Sequence, residues 1–174
     1  MNNLTYPGFV RLARPLLTCW PSLESRRRLG RSEDGSGGKK NLAALGKLAE
    51  AVSSGNLAVL DEVFAPNVVD HDPAADQGPG PNGYKRFFSG LRAAFPDLTV
   101  TVDHLVQTET DIAMAYTIHG THDGEFAGIA PTGRSITARG MQIARFENGK
   151  VVERWGSSDE LGILLKLGAK VSPG

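Results

Sequence analysis

Asp159 stands where an apolar strand pattern ending at Trp155 gives way to an apolar helix pattern, Leu161, Leu164, Leu165 and Leu167. A carboxylate at the mouth of a pocket, partly desolvated by an indole, has its pKa raised toward the range useful for general acid/base work. A second reading of the same residue is helix electrostatics. Ser158 is a candidate N-cap, which puts Asp159 and Glu160 in the favoured acidic first turn. The two readings push the Asp159 pKa in opposite directions, and the first-turn acid is the commoner role.

The run Asp70-His71-Asp72-Pro73 is a second candidate. A histidine beside carboxylates can be held in one tautomer and poised near neutrality, or it can orient a carbonyl by hydrogen bonding. The plainer reading is a strand end entering an Asx-type turn before proline. A metal site fits poorly, because adjacent strand residues point to opposite faces. His104, His119 and His122 are weaker candidates, although His119 ends a strand whose same-side neighbours, Ala115 and Thr117, are small enough to leave room for a ligand. Structural histidines are the default for all three. Phe87, Phe88, Phe95 and Tyr116 read first as core, although a pocket in a small domain is lined by core residues. There is no phosphate-binding glycine loop, no serine elbow and no Cys–His pair in the domain, since the one cysteine is Cys19.

The elements that must position these groups show in the periods. Leu42, Leu45, Ala49 and Val52 recur at helical spacing, closed by Gly55. Asn56 then caps a second stripe of Leu57, Leu60, Val63 and Phe64, which Pro66 stops. Val68 and Val69 open a short extended piece. After a turn-rich loop from Asp76 to Pro81, Tyr84, Phe87, Phe88, Leu91 and Phe95 mark an aromatic helix face ended by Pro96. The period then drops to two. Leu98, Val100 and Val102 alternate with polar residues, as do Ile112, Met114, Tyr116 and Ile118. Arg134 to Phe146 predicts a long strand with Gly140 as a bulge or bend. Asn148-Gly149 predicts a two-residue hairpin into Lys150–Trp155. Helices first, then hairpin-linked strands, then one short helix predict an α+β domain with helices covering one face of a curved sheet and a cavity at its open end.

The chain has 174 residues, 40% hydrophobic and 22% charged, with a formal net charge of +0. That size suits one domain with its own core. The balance gives no electrostatic reason to expect nucleic acid or an anionic membrane. No apolar run reaches the ~18 residues a membrane span needs, and a single cysteine fits a reducing cytoplasm. Residues 1–40 have a different character, with Pro7, Pro15, Pro21, the basic cluster Arg26-Arg27-Arg28 and the run Gly35-Ser36-Gly37-Gly38. A targeting peptide is one reading, but Arg11, Arg14 and Pro15 interrupt its apolar stretch. The expectation is a disordered extension or an upstream start over 1–40, and a domain over 41–170.

Several ordered segments together carry a family resemblance: Asn56-Leu57 through Ala65-Pro66; Val69-Asp70-His71-Asp72-Pro73; Gly83 to Asp97-Leu98; Gly120-Thr121-His122-Asp123-Gly124-Glu125-Phe126; Pro131-Thr132-Gly133-Arg134; Arg139-Gly140-Met141; and Val152-Glu153-Arg154-Trp155 with Asp159-Glu160-Leu161-Gly162. Over about Ala43–Ala169 the chain resembles the SnoaL-like polyketide cyclase/ester cyclase family of the NTF2-like superfamily. The resemblance implies an α+β cone, helices packed on a strongly curved antiparallel or mixed sheet. It also implies a cyclase- or isomerase-like enzyme that closes a ring by aldol-type acid/base chemistry on a hydrophobic, carbonyl-rich molecule, with no metal and no cofactor. Asp159 then matches the general acid/base and His71 a pocket position. Trp155, Tyr116, Phe87, His119 and Met141 are the expected lining, and a homodimer formed through the sheet is the expected assembly. Many relatives have histidine where this chain has Arg154. Two other functions are compatible with the fold: a non-catalytic small-molecule carrier, and an epoxide-hydrolase or ketosteroid-isomerase-like enzyme. Epoxide hydrolysis needs an Asp–Arg–Asp set, for which Arg139 and Arg145 supply the residue type.

Overall fold

A computed structural model describes residues 36–170. The targeting-peptide reading and most of the expected extension over 1–40 lie outside the described residues; residues 36–40 belong to α1. The elements run α1 (Ser36–Ser54), a single 3-10 turn (Leu57–Val59), α2 (Leu60–Val63), β1 (Phe64–Asp70), α3 (Gly80–Ala94), β2 (Thr99–Gln107), β3 (Asp111–Thr121), β4 (Ser135–Glu147), β5 (Lys150–Ser158) and α4 (Glu160–Leu167). They form the expected α+β arrangement, four helices on one five-stranded sheet of order β1-β5-β4-β3-β2. The sheet is mixed: β1 runs parallel to β5, and the other neighbours are antiparallel.

Most element boundaries follow the sequence patterns, and the exceptions have local causes. The first helix begins at Ser36, so Gly37 and Gly38 lie inside it. The second stripe is cut short, and β1 starts at Phe64 and carries Pro66. Proline is tolerated there because β1 is an edge strand. Asn148 and Gly149 both have positive φ, 52° and 77°, the geometry a two-residue hairpin requires between β4 and β5. Gly140 is not a bulge. It pairs in register with Tyr116 on β3, and a Cβ there would stand 2.5 Å from the Tyr116 hydroxyl oxygen. Its role is to let a ring lie flat across the strand.

Strand alternation sets the inner face. Ile112, Met114, Tyr116 and Ile118 of β3 share one side, as do Ile136, Ala138, Gly140, Gln142, Ala144 and Phe146 of β4. On β5 the alternation breaks. Phe146 pairs with Val151 but Arg145 with Glu153, so Val152 is an extra residue, a β-bulge. Beyond it, Arg154 rather than Glu153 or Trp155 shares the face of Val151.

Two apolar clusters flank this inner face. One joins Leu60, Val63, Phe64 and Tyr84 to Ile112, Phe146 and Val151. The other joins Phe95, Leu98, Ile136, Ile163 and Leu167. Leu48 of α1 and Phe88 of α3 pack against both. No described helix is long and apolar enough to cross a membrane.

Candidate active site

Between the helices and the inner face lies a cavity of about 410 Å³, within the range that accepts a drug-sized molecule. Leu45, Leu48, Phe87, Phe88 and Leu91 form its helical wall, and Val100, Val102, Met114, Tyr116 and Ile118 its sheet wall. Val100 and Val102 line it yet remain 40% and 44% exposed, so the cavity is open along β2.

The opposite end is polar. Asp70, on the last residue of β1, lies across the parallel pairing from Arg154 on β5. Its side chain is 6% exposed. Arg154 Nη1 donates to both Asp70 oxygens, at 3.0 and 3.2 Å, and Arg154 Nε donates to Gln142 Oε1 at 3.2 Å. Gln77 Nε2 (3.0 Å), the Tyr84 hydroxyl (2.8 Å) and the Asp72 backbone N–H (3.1 Å) complete the shell around Asp70. Burial pushes the Asp70 carboxyl up, but the Gln77 hydrogen bond, the Arg154 charge and the Tyr84 and Asp72 donors outweigh it, and the pKa falls below its ordinary value. Asp70 is therefore a fixed anion and unsuited to proton transfer near neutrality. Tyr84 is pushed well above the usual phenol range by burial and then by the Asp70 carboxylate.

The turn from Ala74 to Gln77 supports this end. Gln77 is buried, accepts the Ala74 N–H on its side chain, and has its carbonyl held by Arg86 of α3. Two further carboxylates, Asp72 and Glu160, line the cavity. Asp72 accepts the Gly156 N–H at 2.9 Å.

The residues expected from sequence divide between the two faces of the sheet. Tyr116 and Phe87 line the cavity. Trp155, His119 and Met141 do not. His119 and Met141 have the outward parity of their strands, and the bulge at Val152 turns Trp155 outward. His119 is exposed and shares a hydrogen bond with Thr137, and Met141 is 69% exposed. The small-residue side of β3, Ala115 and Thr117, is thus the outer side. His71 follows Asp70 and so also faces out. It stacks on Trp155 with ring centroids 4.5 Å apart and meets Glu153 at 3.0 Å.

Asp159, not the expected Ser158, is the N-cap of α4; Ser158 belongs to β5. Its carboxylate accepts the Gly162 N–H at 2.9 Å and is exposed, off the cavity lining; its neighbour Glu160 is on it. His122 is fully buried against Phe95 and accepts the Thr132 N–H, a structural role. Arg145 lies on the outer face with Glu153 and Asp111. Arg154, the arginine that does face the cavity, is bridged to a single carboxylate among the described residues, so the Asp–Arg–Asp set of epoxide hydrolysis is not assembled there. No group of three or more metal-ligating side chains occurs among the described residues.

Sequence spacing points to the run around this polar end but puts the role on its outward-facing members. Asp70 and Asp72 flank the singled-out histidine, and Arg154 precedes the singled-out tryptophan. What was hidden was which of each adjacent pair faces in.

Comparison with known proteins agrees with this architecture. The family model of the SnoaL-like polyketide cyclase matches residues 43–167. Among solved structures, IdmH from Streptomyces antibioticus, described as a polyketide cyclase candidate, is 35% identical over 74% of this chain and 99% of its own, with a TM-score of 0.64. A polyketide cyclase candidate from Acidithiobacillus ferrooxidans is 27% identical over 74% and 94%, with a TM-score of 0.65. AclR from Streptomyces galilaeus, described as a hydroxylase candidate, is 28% identical over 75% and 96%, also at 0.65. No curated protein matches the chain. An α+β domain of the NTF2-like kind, with helices over a mixed sheet, matches these relatives in both sequence and fold. The chain belongs to the SnoaL-like polyketide cyclase family.

Proposed function

We propose that the chain takes a hydrophobic, carbonyl-rich small molecule into this cavity and closes a ring on it by cofactor-independent, aldol-type acid/base chemistry. The observation that carries the reading is the cavity's division into an apolar body and one polar end. A carbon between two carbonyls is already acidic, so one positioned carboxylate can take its proton. The electron pair passes to the carbonyl oxygen, the enolate carbon attacks a second carbonyl, and that oxygen takes up a proton. The apolar walls fold the substrate so that the two carbons meet, and orientation of this kind removes several kcal/mol of barrier.

Asp159 is the proton acceptor in this proposal, leaving the Gly162 N–H when the ligand arrives, with Glu160 beside it on the lining. His71 faces away from the cavity and is given no part in proton transfer. Incubation with polyketide-type esters followed by mass spectrometry tests the reading: ring closure with or without loss of water is expected. Asp159→Asn is expected to abolish turnover and keep ligand binding; an Asp159→Asn variant with full activity removes the role. The carrier reading is favoured by one observation, the commitment of the Asp159 carboxylate to its own helix, and it predicts ligand recovered unchanged.

We also propose that two copies pair through the outer face of the sheet, where Met141 and Ile143 are 69% and 47% exposed beside Trp155. Ile143→Arg is expected to halve the mass seen by light scattering without altering the circular dichroism spectrum. A wild-type mass of one chain overturns the pairing.

A further inference from the structure

Resting on that reading of the cavity, the polar end adds a second half to the chemistry. The Arg154 guanidinium is fixed by Gln142 through Nε and by Asp70 through Nη1, which leaves Nη2. Nη2 lies along Gly156, where a Cβ would come within 2.5 Å of it. The glycine thus lets the guanidinium lie flat against β5. Tyr116 is the neighbour. Its hydroxyl lies over Gly140, two residues along β4 from the Gln142 that holds Arg154, and both side chains line the cavity. Burial raises its phenol, and the Arg154 charge works against that rise. A phenol carries one O–H that can donate to a ligand oxygen.

We infer that Arg154 and Tyr116 together hold the ionised oxygen of a 1,3-dicarbonyl ligand, with its apolar part against Phe87, Phe88 and Leu91. Asp70 and Gln142 are positioning residues that act through Arg154. The other titratable groups facing the cavity are Asp70, Tyr84, Asp72 and Glu160. Asp70 offsets the guanidinium charge, and Asp72 and Glu160 are negative, so net charge does not draw an anion in. Proton transfer inside the complex is different. The ligand C–H bond breaks, the proton goes to a nearby carboxylate, and the electron pair moves to the carbonyl oxygen. Total charge is unchanged, and negative charge appears where directed donors wait. Donors aimed at developing charge act this way without reorganising at the moment of reaction. Arginine is suited to this position because its planar fork can be locked on two edges and still present a third.

The test uses two probes on the full chain. Benzoylacetone, a 1,3-diketone, reports its ionisation by ultraviolet absorbance; butylbenzene has no carbonyl and reports the cavity alone. The apparent pKa of bound benzoylacetone is expected to rise by about one unit, roughly tenfold in the ionisation equilibrium, in Tyr116→Phe and in Arg154→Lys, which keeps the charge and loses the fork. Asp72→Asn is expected to move it the other way. Butylbenzene affinity is expected to stay the same in Tyr116→Phe. An unchanged benzoylacetone pKa in Tyr116→Phe and Arg154→Lys, or a wild type that binds butylbenzene but not benzoylacetone, overturns the donor pair while leaving the cavity reading intact. A wild type that binds neither probe overturns both. If Arg154→Lys loses butylbenzene as well, Tyr116→Phe alone decides.

Discussion

The two faces of the β1–β5 pair are built from adjacent residues and do opposite things. Inward, Asp70 and Arg154 join with Gln77, Tyr84 and Gln142 into a locked polar end. Outward, His71, Glu153 and Trp155 join with Arg145, whose guanidinium carbon lies 5.4 Å from the Trp155 ring centre. Both clusters contain an arginine, a carboxylate and an aromatic ring. The inner one is nearly dry: its Arg154 and Asp70 side chains are 19% and 6% exposed, against 47% and 31% for Arg145 and Glu153. Desolvation strengthens every charge interaction it leaves intact and penalises every one left unpaired. The same chemistry is therefore specific inside and weak outside.

Removing one partner from each face gives the sharpest contrast. Arg154→Ala is expected to cost about 3 kcal/mol, because it leaves the Asp70 carboxylate without its cation. Glu153→Ala on the outer face is expected to cost less than about 1 kcal/mol, as solvent-exposed pairs do. Urea midpoints measure both; equal losses would break the distinction between the faces.

Neighbouring residues of β4 give a smaller contrast. Gly140→Ala forces a Cβ against the Tyr116 ring and is expected to cost about 2 kcal/mol, as overpacking does, with a changed near-ultraviolet spectrum. Met141→Ala, one residue on and 69% exposed, is expected to stay within about 0.5 kcal/mol of wild type. A silent Gly140→Ala would mean that the ring has room to move.

The smallest effect is in acid. The Asp70 pKa is lowered in the folded chain, so its contribution to stability is present above the ordinary value of 3.8 and is lost as pH falls toward the folded value. Thermal midpoints measured downward from about pH 5 should fall less steeply for Asp70→Asn than for wild type. Parallel curves would assign acid sensitivity to other carboxylates.

Much of this domain was legible along the chain. The helix stripes, the aromatic face of α3 and the hairpin at Asn148-Gly149 follow from local period and turn chemistry, because each is decided by residues a few positions apart. Alternation also placed Tyr116 with Ile112, Met114 and Ile118, and it is enough to set His119 and Met141 on the opposite side. Trp155 could not be placed this way. One extra residue at Val152 reverses every side chain after it, and the bulge exists only because Phe146 and Arg145 of the neighbouring strand pair with Val151 and Glu153.

The sequence by itself determined the element order, the family and the presence of an apolar cavity wall, since these rest on periodicity and on residue types in a set order. Only the tertiary structure decided what stands at the cavity's polar end. Asp70 and Arg154 are 84 positions apart and meet through a parallel edge pairing. Such register is set by the whole sheet rather than by local preference, and it puts Arg154 on the lining and leaves Asp159 capping its own helix.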